Sequence, residues 1–400
     1  MSGRSSRGAR RGETAFAAVP ERALARKARR LVVKLGSSTL TDAGGLRSRV
    51  FGDLARQVAA LHGEGRQLVL VTSGAIAAGS RALGWSHPGR SIPEKQAAAA
   101  VGQVGLMELY RRRFARFGIP VGQVLVTRSG LEDRERYLNA RHTLMTLLEL
   151  GAVPIVNEND TVATDEIRFG DNDNLSATIV NLVQAELLVI FTDVDGLYRE
   201  RPAAERPAPA IFPLVPEITP EIAAVAQGSG NAFGRGGMTT KLEAAAAAAR
   251  SGAATVLCNG RTRNALLRVA SGEALGTLFL PGSRLASRKH WLAFTRKTRG
   301  SLELDAGAVH ALVSQGRSLL PAGIARVEGE FGIGDPVACL APDGGELARG
   351  LVNYASEAIR RIAGQPTRQI ERLLGYSNGP EVIHRDDLVL TATEPTETPA

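Results

Sequence analysis

Five short stretches hold the residues whose types and spacing could do chemistry. Lys34 stands in an otherwise apolar run, Leu31–Leu35, followed by Gly36-Ser37-Ser38. An ammonium group beside a glycine turn can meet an anion, because backbone N–H groups approach it there. The plainer reading is an edge lysine reaching to solvent. Thr72-Ser73-Gly74 ends a second apolar run, Gln67–Thr72, and opens a small-residue stretch. It reads as an anion site at a helix start or as a simple turn capped by Ser73.

Two polar stretches flank residues 161–169: Asn157-Glu158-Asn159-Asp160 and Gly170-Asp171-Asn172-Asp173-Asn174. Amides and carboxylates grouped in this way suit an α-ammonium group, a divalent ion or lysine side chains. The second stretch lacks the spacing and closing Glu of a calcium loop. A helix pattern begins at Leu175, so Asp173 or Asn174 also reads as a helix cap. The fifth stretch, Gly234-Arg235-Gly236-Gly237-Met238-Thr239-Thr240-Lys241, leads into an Ala-rich helix. It fails the P-loop pattern, yet small residues, a helix start and a lysine are the ingredients of a phosphate cradle. No HExxH, CxxC or GxSxG is present, and no histidine ligand cluster is evident.

The elements that must position these residues follow from periodicity. Short apolar runs at Leu31–Leu35, Gln67–Thr72, Val121–Thr127, Val153–Asn157, Leu187–Thr192 and Thr255–Leu257 alternate with helical patterns. The helical patterns span 48–62, 94–117, 135–150, 175–185 and 240–250. Short strands joined by helices pair in parallel through crossovers. The expected fold is therefore α/β, an open, doubly wound, mostly parallel sheet between helices. Ligands of such sheets sit at the carboxyl ends of the strands, and the polar stretches fall at those ends. After Arg299 the pattern changes to short alternating strands and glycine turns, which predicts a small, mainly β second domain.

Composition narrows the function further. The formal net charge of +9 is concentrated at the start, where residues 1–30 hold nine basic side chains and two acidic ones. The rest is nearly neutral, which argues against nucleic-acid binding by the folded part. Two cysteines, Cys258 and Cys339, exclude a disulfide framework and fit a reducing compartment. No apolar run approaches the 18 residues or so of a membrane span, and no secretory signal is evident. A cytoplasmic location is expected. The expected division is a basic tail without structure at 1–28, a catalytic domain at 29–281, a linker at 282–298, a second domain at 299–377 and a C-terminal tail at 378–400.

Taken in order, the motifs resemble those of the amino-acid kinase family. The matching stretches are VVKLGSS (32–38), VTSGAIAAG (71–79), DRERYLNAR (133–141), PIVNENDTVAT (154–164), GDNDNLSA (170–177), FTDVDGLY (191–198) and GRGGMTTKLEAA (234–245). The C-terminal part is similar to a PUA domain, through SLLPAGI (318–324) and ARGLVNYASEAIRRIAG (348–364). The resemblance implies ATP-dependent phosphorylation of the side-chain carboxylate of L-glutamate to glutamyl 5-phosphate, the opening step of proline biosynthesis. It also implies feedback inhibition by proline, reported by the loop 160–173, and a homodimer or homotetramer.

The resemblance further assigns roles. Lys34 and Lys241 would bracket the transferred phosphoryl group, and Gly36 and Gly74 would offer it backbone donors. Asp173 would orient the two lysines. Ser73, Asp160 and Asn172, with Asn157 nearby, would bind glutamate. Thr192, Asp193 and the loop Arg235, Gly236, Gly237, Met238, Thr239, Thr240 and Lys241 would bind ATP. Mg²⁺ would bridge its phosphates with few direct protein ligands, and no resident metal site is expected. Arg235 departs from the small or hydroxyl residue usual there. It is read as solvent-facing, against the alternative of an extra phosphate contact.

Two rivals follow from the same residues. One is a sister kinase with another acceptor: N-acetylglutamate would need no partner such as Asp160 for an α-ammonium group. The other is an RNA-binding protein acting through the PUA-like part. There, seven arginines from Arg317 to Arg372 face nine carboxylates from Glu303 to Glu371, a poor footprint for RNA.

Overall fold

The computed structural model describes residues 20–42, 45–163, 172–200, 209–227, 237–282 and 298–391. The first domain is built on eight strands: β1 (Arg30–Leu35), β4 (Gln67–Val71), β5 (Val121–Val126), β6 (Val153–Glu158), β7 (Leu187–Thr192), β8 (Leu214–Val215), β9 (Ala254–Asn259) and β10 (Thr277–Phe279). A two-residue hairpin, β2 (Thr41–Asp42) with β3 (Gly45–Leu46), follows β1. The order across the sheet is β5-β6-β4-β1-β7-β9-β10-β8. The strands from β5 to β9 are parallel, while β10 runs antiparallel to β9 and pairs in parallel with β8. The chain leaves β1 for β4 on one side and returns to β7 on the other. The carboxyl end of β1 is thus a switch point, where such sheets hold ligands.

The central strands are apolar because both faces are covered. Val33 and Leu35 pack with the helices Ser48–Gly63, Ile92–Phe114 and Ala265–Ala270. Val32 packs on the other side with the helices Arg134–Glu149, Asn172–Val183 and Met238–Arg250. The helix Ala75–Ala82 crosses Ile92–Phe114 very closely. A Cβ on Gly79 would stand 1.7 Å from the Ala98 carbonyl oxygen, and one on Gly102 1.8 Å from that of Ala75. The glycines and alanines there are a packing requirement, and the crossing fixes the turn at Ser73 and Gly74.

The second domain is a five-stranded sheet ordered β12-β11-β13-β14-β15. Its strands are β11 (Gly300–Leu304), β12 (Ile324–Gly329), β13 (Pro336–Leu340), β14 (Glu346–Leu351) and β15 (Leu388–Leu390). Leu302, Val337, Tyr354 and Ile359 lie at the centre of its core.

Both tails are shorter than the sequence suggested. Residues 20–27 form a helical segment, with Ala25 and Ala28 buried. Arg22 is buried and donates to the carbonyls of Leu275, Pro213 and Gly276 at 2.7, 3.1 and 2.6 Å. Burial lowers its pKa to about 10. At the other end, Val382 and Ile383 are fully buried and β15 completes the sheet, so the second domain runs to residue 391. Residues 1–19, the linker 283–297 and residues 392–400 lie outside the described residues.

The domains are joined by an ion pair. Arg141, on the helix Arg134–Glu149, reaches Asp387 at 2.5 Å, and both side chains are nearly buried. Among the described residues no helix is long and apolar enough to cross a membrane.

Candidate active site

The site begins with the pleat of β1. Side chains alternate along a strand, so Lys34 faces the helix Asn172–Val183 while Leu35 faces the opposite layer. Lys34 is 7% exposed and its Nζ lies 2.5 Å from Oδ1 of Asp173. The other carboxylate oxygen, Oδ2, is 3.1 Å from Nζ of Lys241 and accepts from the Thr240 hydroxyl at 3.0 Å. Asp173 is fully buried. Burial alone would push its carboxyl upward, but the two ammonium groups, Lys34 foremost, outweigh it and hold the pKa below the ordinary value.

Three separate stretches of sequence thus meet on one carboxylate. Two ammonium groups against one carboxylate leave the trio net positive at the end of β1. A buried cluster of this kind is costly unless further anionic charge arrives. Gly36 lies beside it in ordinary extended backbone, and a Cβ there would stand 3.9 Å from Lys34 Nζ and 3.5 Å from the Phe191 carbonyl oxygen.

A second cluster surrounds Asn172. Its amide nitrogen donates to the Thr72 carbonyl at 2.5 Å, to Ser73 Oγ at 3.0 Å and to Asn157 Oδ1 at 3.0 Å. Asn157 in turn donates to Gln103 Oε1 at 2.9 Å. Ser73, Asn157 and Asn172 are therefore brought together. Asp160 is half-buried in the turn after β6 and is not joined through Asn172.

Gln103 was missed by the sequence reading. It is nearly buried, and its Nε2 has no partner among the described residues. A lone amide in the run AAAAVGQVG was its only signal.

Two cap readings are corrected. The helix Asn172–Val183 already includes Asp173 and Asn174, which are therefore within its first turn and do not cap it. Gly74, not Ser73, caps Ala75–Ala82, and it does so at φ +100°, a left-handed conformation that favours glycine.

Thr192 and Asp193 stand at the end of β7, the threonine buried and the aspartate exposed. The Thr192 hydroxyl donates to Asp193 at 3.2 Å. Gly237 caps the helix Met238–Arg250, so Met238, Thr239, Thr240 and Lys241 form its first turn. Thr239 is exposed and Met238 packs on the core. Arg235 and Gly236 lie outside the described residues.

Comparison with known proteins assigns a family to each domain. The model of the amino acid kinase family matches residues 29–259, and that of the PUA domain matches residues 300–374. Glutamate 5-kinase of Cupriavidus metallidurans is 52% identical over 366 residues, covering 91% of this chain and 98% of that protein. Glutamate 5-kinase of Burkholderia multivorans is 51% identical over 371 residues, covering 92% of this chain and all of that protein. Among solved structures, UMP kinase from Bacillus anthracis aligns at 17% identity and a TM-score of 0.44, over 64% of this chain and 98% of that one.

Proposed function

The chain belongs to the amino acid kinase family and carries a C-terminal PUA domain, and from that premise we propose that it transfers the γ-phosphoryl group of ATP to the side-chain carboxylate of L-glutamate. The observation that carries this reading is the pair of lysines held on Asp173. The attacking carboxylate, with a pKa of about 4.3, is already ionised at neutral pH, so no general base is required. The difficulty is to bring two anions together in line. Positioned positive charge and correct geometry supply that, as in other phosphoryl transfers.

In this reading Lys34 and Lys241 approach the phosphoryl group from two sides while Asp173 fixes their ammonium groups. Gly36 leaves room for a phosphate oxygen beside Lys34. Gly74 turns the chain so that the start of the helix Ala75–Ala82 faces the same space. Ser73, Asn157 and Asn172 hold the glutamate, with Asp160 as partner for its α-ammonium group. Gln103 orients Asn157. Thr192, Asp193 and residues 235–241 hold the nucleotide.

Mg²⁺ fits as an ion carried by the phosphates. Both oxygens of Asp173 are taken by ammonium groups, and among the described residues no three His, Cys, Asp or Glu side chains converge. The product opens the route to proline, and we extend the proposal to inhibition by proline and to a homodimer or homotetramer.

The test is ATP- and Mg²⁺-dependent turnover with hydroxylamine trapping of the acyl phosphate. Glutamate, aspartate, N-acetylglutamate and UMP serve as parallel acceptors. Hydroxamate from glutamate alone is expected, falling as proline is titrated in. Turnover of a different acceptor would keep the phosphate site and reassign Ser73, Asn172 and Asp160.

A further inference from the structure

On the face of the sheet opposite Asp173 lies a cleft of about 910 Å³. The pleat that turns Lys34 and Thr192 to one face turns Leu35 and Phe191 to the other, where they form part of the cleft lining. One wall is the start of the helix Ser48–Gly63, and the other is the turn Gly260–Asn264 after β9. Arg47, Arg49 and Arg56 come from the first wall or its approach, Arg261 and Arg263 from the second. Asp42 and Asp53 are the carboxylates among the lining residues, so the lining carries three net positive charges.

The arginines divide into two groups. Arg47 donates to the Thr39 carbonyl and pairs with Asp42 at 3.7 Å, Arg261 donates to the Ser38 carbonyl, and Arg56 donates to Asn264, which ties the two walls together. Arg49 and Arg263 are exposed on opposite walls and have no hydrogen bond or ion pair among the described residues. A second observation is independent of charge. Thr39 lines the cleft at 2% exposure, and its hydroxyl has no partner among the described residues. Buried hydroxyls are ordinarily bonded.

We propose that this cleft is a second anion site, separate from the transfer site, that takes a nucleoside di- or triphosphate. Guanidinium groups match phosphate oxygens in pairs. Two arginines without partners on opposite walls suit a chain of phosphates better than a single carboxylate. Val50 is half-buried in the lining and offers an apolar edge to a base, while Leu35, Leu54 and Phe191 are buried beneath it. The volume lies within the range of about 300–1,000 Å³ usual for small-molecule sites. The lining residues face the opposite layer from Asp173, so both sites can fill at once.

Equilibrium dialysis of the full chain with ADP tests the proposal. Two ADP per chain are expected for the unaltered protein. Arg49→Ala/Arg263→Ala is expected to weaken one of them at least tenfold and to leave the other, and the KM for ATP, unchanged. Thr39→Val, which keeps shape and removes the hydroxyl, is expected to weaken the same site severalfold. Inorganic tripolyphosphate displacing only the cleft ADP would sustain the proposal and place recognition on the phosphate chain. Failure to displace it, with two ADP still bound, would sustain it and place recognition on the nucleoside as well.

One ADP per chain in the unaltered protein overturns the proposal. So does an increased KM for ATP in the double variant, which would make the cleft part of the transfer site. A changed molecular mass with unchanged binding would make the arginines a contact between copies and also overturn it. Two ADP sites in a protein that phosphorylates no acceptor would remove the proposed reaction and leave the cleft.

Discussion

Asp173 and Asp387 are both carboxylates placed against cations and shielded from solvent, yet they organise different things. Asp173 meets two ammonium groups, one from a strand end and one from a helix start, and the trio is left net positive. Asp387 meets the guanidinium of Arg141. The first arrangement gathers three charges from three stretches of sequence where the sheet changes direction. The second brings one cation and one anion together across two domains.

The sharpest way to break this contrast is Asp173→Asn. It removes the buried anion from between Lys34 and Lys241, and losing one partner of a buried pair costs about 3–5 kcal/mol. A large fall in thermal midpoint is expected, together with loss of turnover. The sign of the pH effect also follows. The folded carboxyl titrates below its ordinary value, so its stabilisation is present above the unfolded pKa of about 3.9 and is lost as pH falls through the folded one. Unfolding followed between neutral and acid pH should show a flatter acid limb in Asp173→Asn. An unchanged acid limb would mean that the two lysines do not hold that carboxylate ionised.

Next in size are Lys34→Ala and Lys241→Ala. Removing one preorganised donor from a charged transition state typically costs about 10²–10³ in turnover. Each is expected to lose turnover on that scale while circular dichroism stays native. Near-normal turnover in either would take that lysine out of the mechanism.

How far these roles are legible in the sequence depends on the residue. Lys34 stands out because a single charge interrupts an apolar strand that alternation must turn to one face. Lys241 stands out because glycines and a helix start precede it. Asp173 was half legible: GDNDN reads as a helix cap or as a cluster able to hold an ammonium group or a divalent ion, and its role toward the two lysines came through resemblance. Its partners are 139 and 68 positions away, distances only the fold closes. Gln103 was illegible for the same reason, since it meets Asn157 from a helix that reads as plain Ala/Gly packing. The two tails misled because composition averages over side chains. Arg22 hides among surface-like arginines although three carbonyls bury it, and Val382-Ile383 hides in a polar stretch although both are core. The antiparallel β10 is three residues long, too short for a period.

Arg141→Ala and Asp387→Ala sharpen the other half of the comparison. The pair is nearly buried, and residues in contact couple by about 0.5–3 kcal/mol. A double-mutant cycle of unfolding free energies should give a coupling in that range, with turnover near the unaltered value. A large loss of turnover in either variant would show that the joint reaches the site, through the helix that Asp133 caps. Zero coupling would make the contact incidental.

The smallest effect separates two glycines of the site. Gly74 sits at φ +100°, and a Cβ there would press on the Thr41 methyl group at 3.2 Å. Left-handed backbone costs an ordinary residue about 1–2 kcal/mol, so Gly74→Ala should lower the thermal midpoint measurably. Gly36 has φ −71°, and its Cβ would meet nothing closer than 3.5 Å. Gly36→Ala should therefore change stability by no more than about 0.5 kcal/mol. Its methyl group would instead stand beside Lys34 Nζ, in the space the reading gives to a phosphate oxygen. Calorimetry paired with ATP kinetics distinguishes the cases: a native midpoint with impaired turnover identifies Gly36 as a position kept small for the ligand. A native midpoint with native kinetics would show that no phosphate approaches Lys34 from that side, and would leave Lys241 as the phosphate's principal cation.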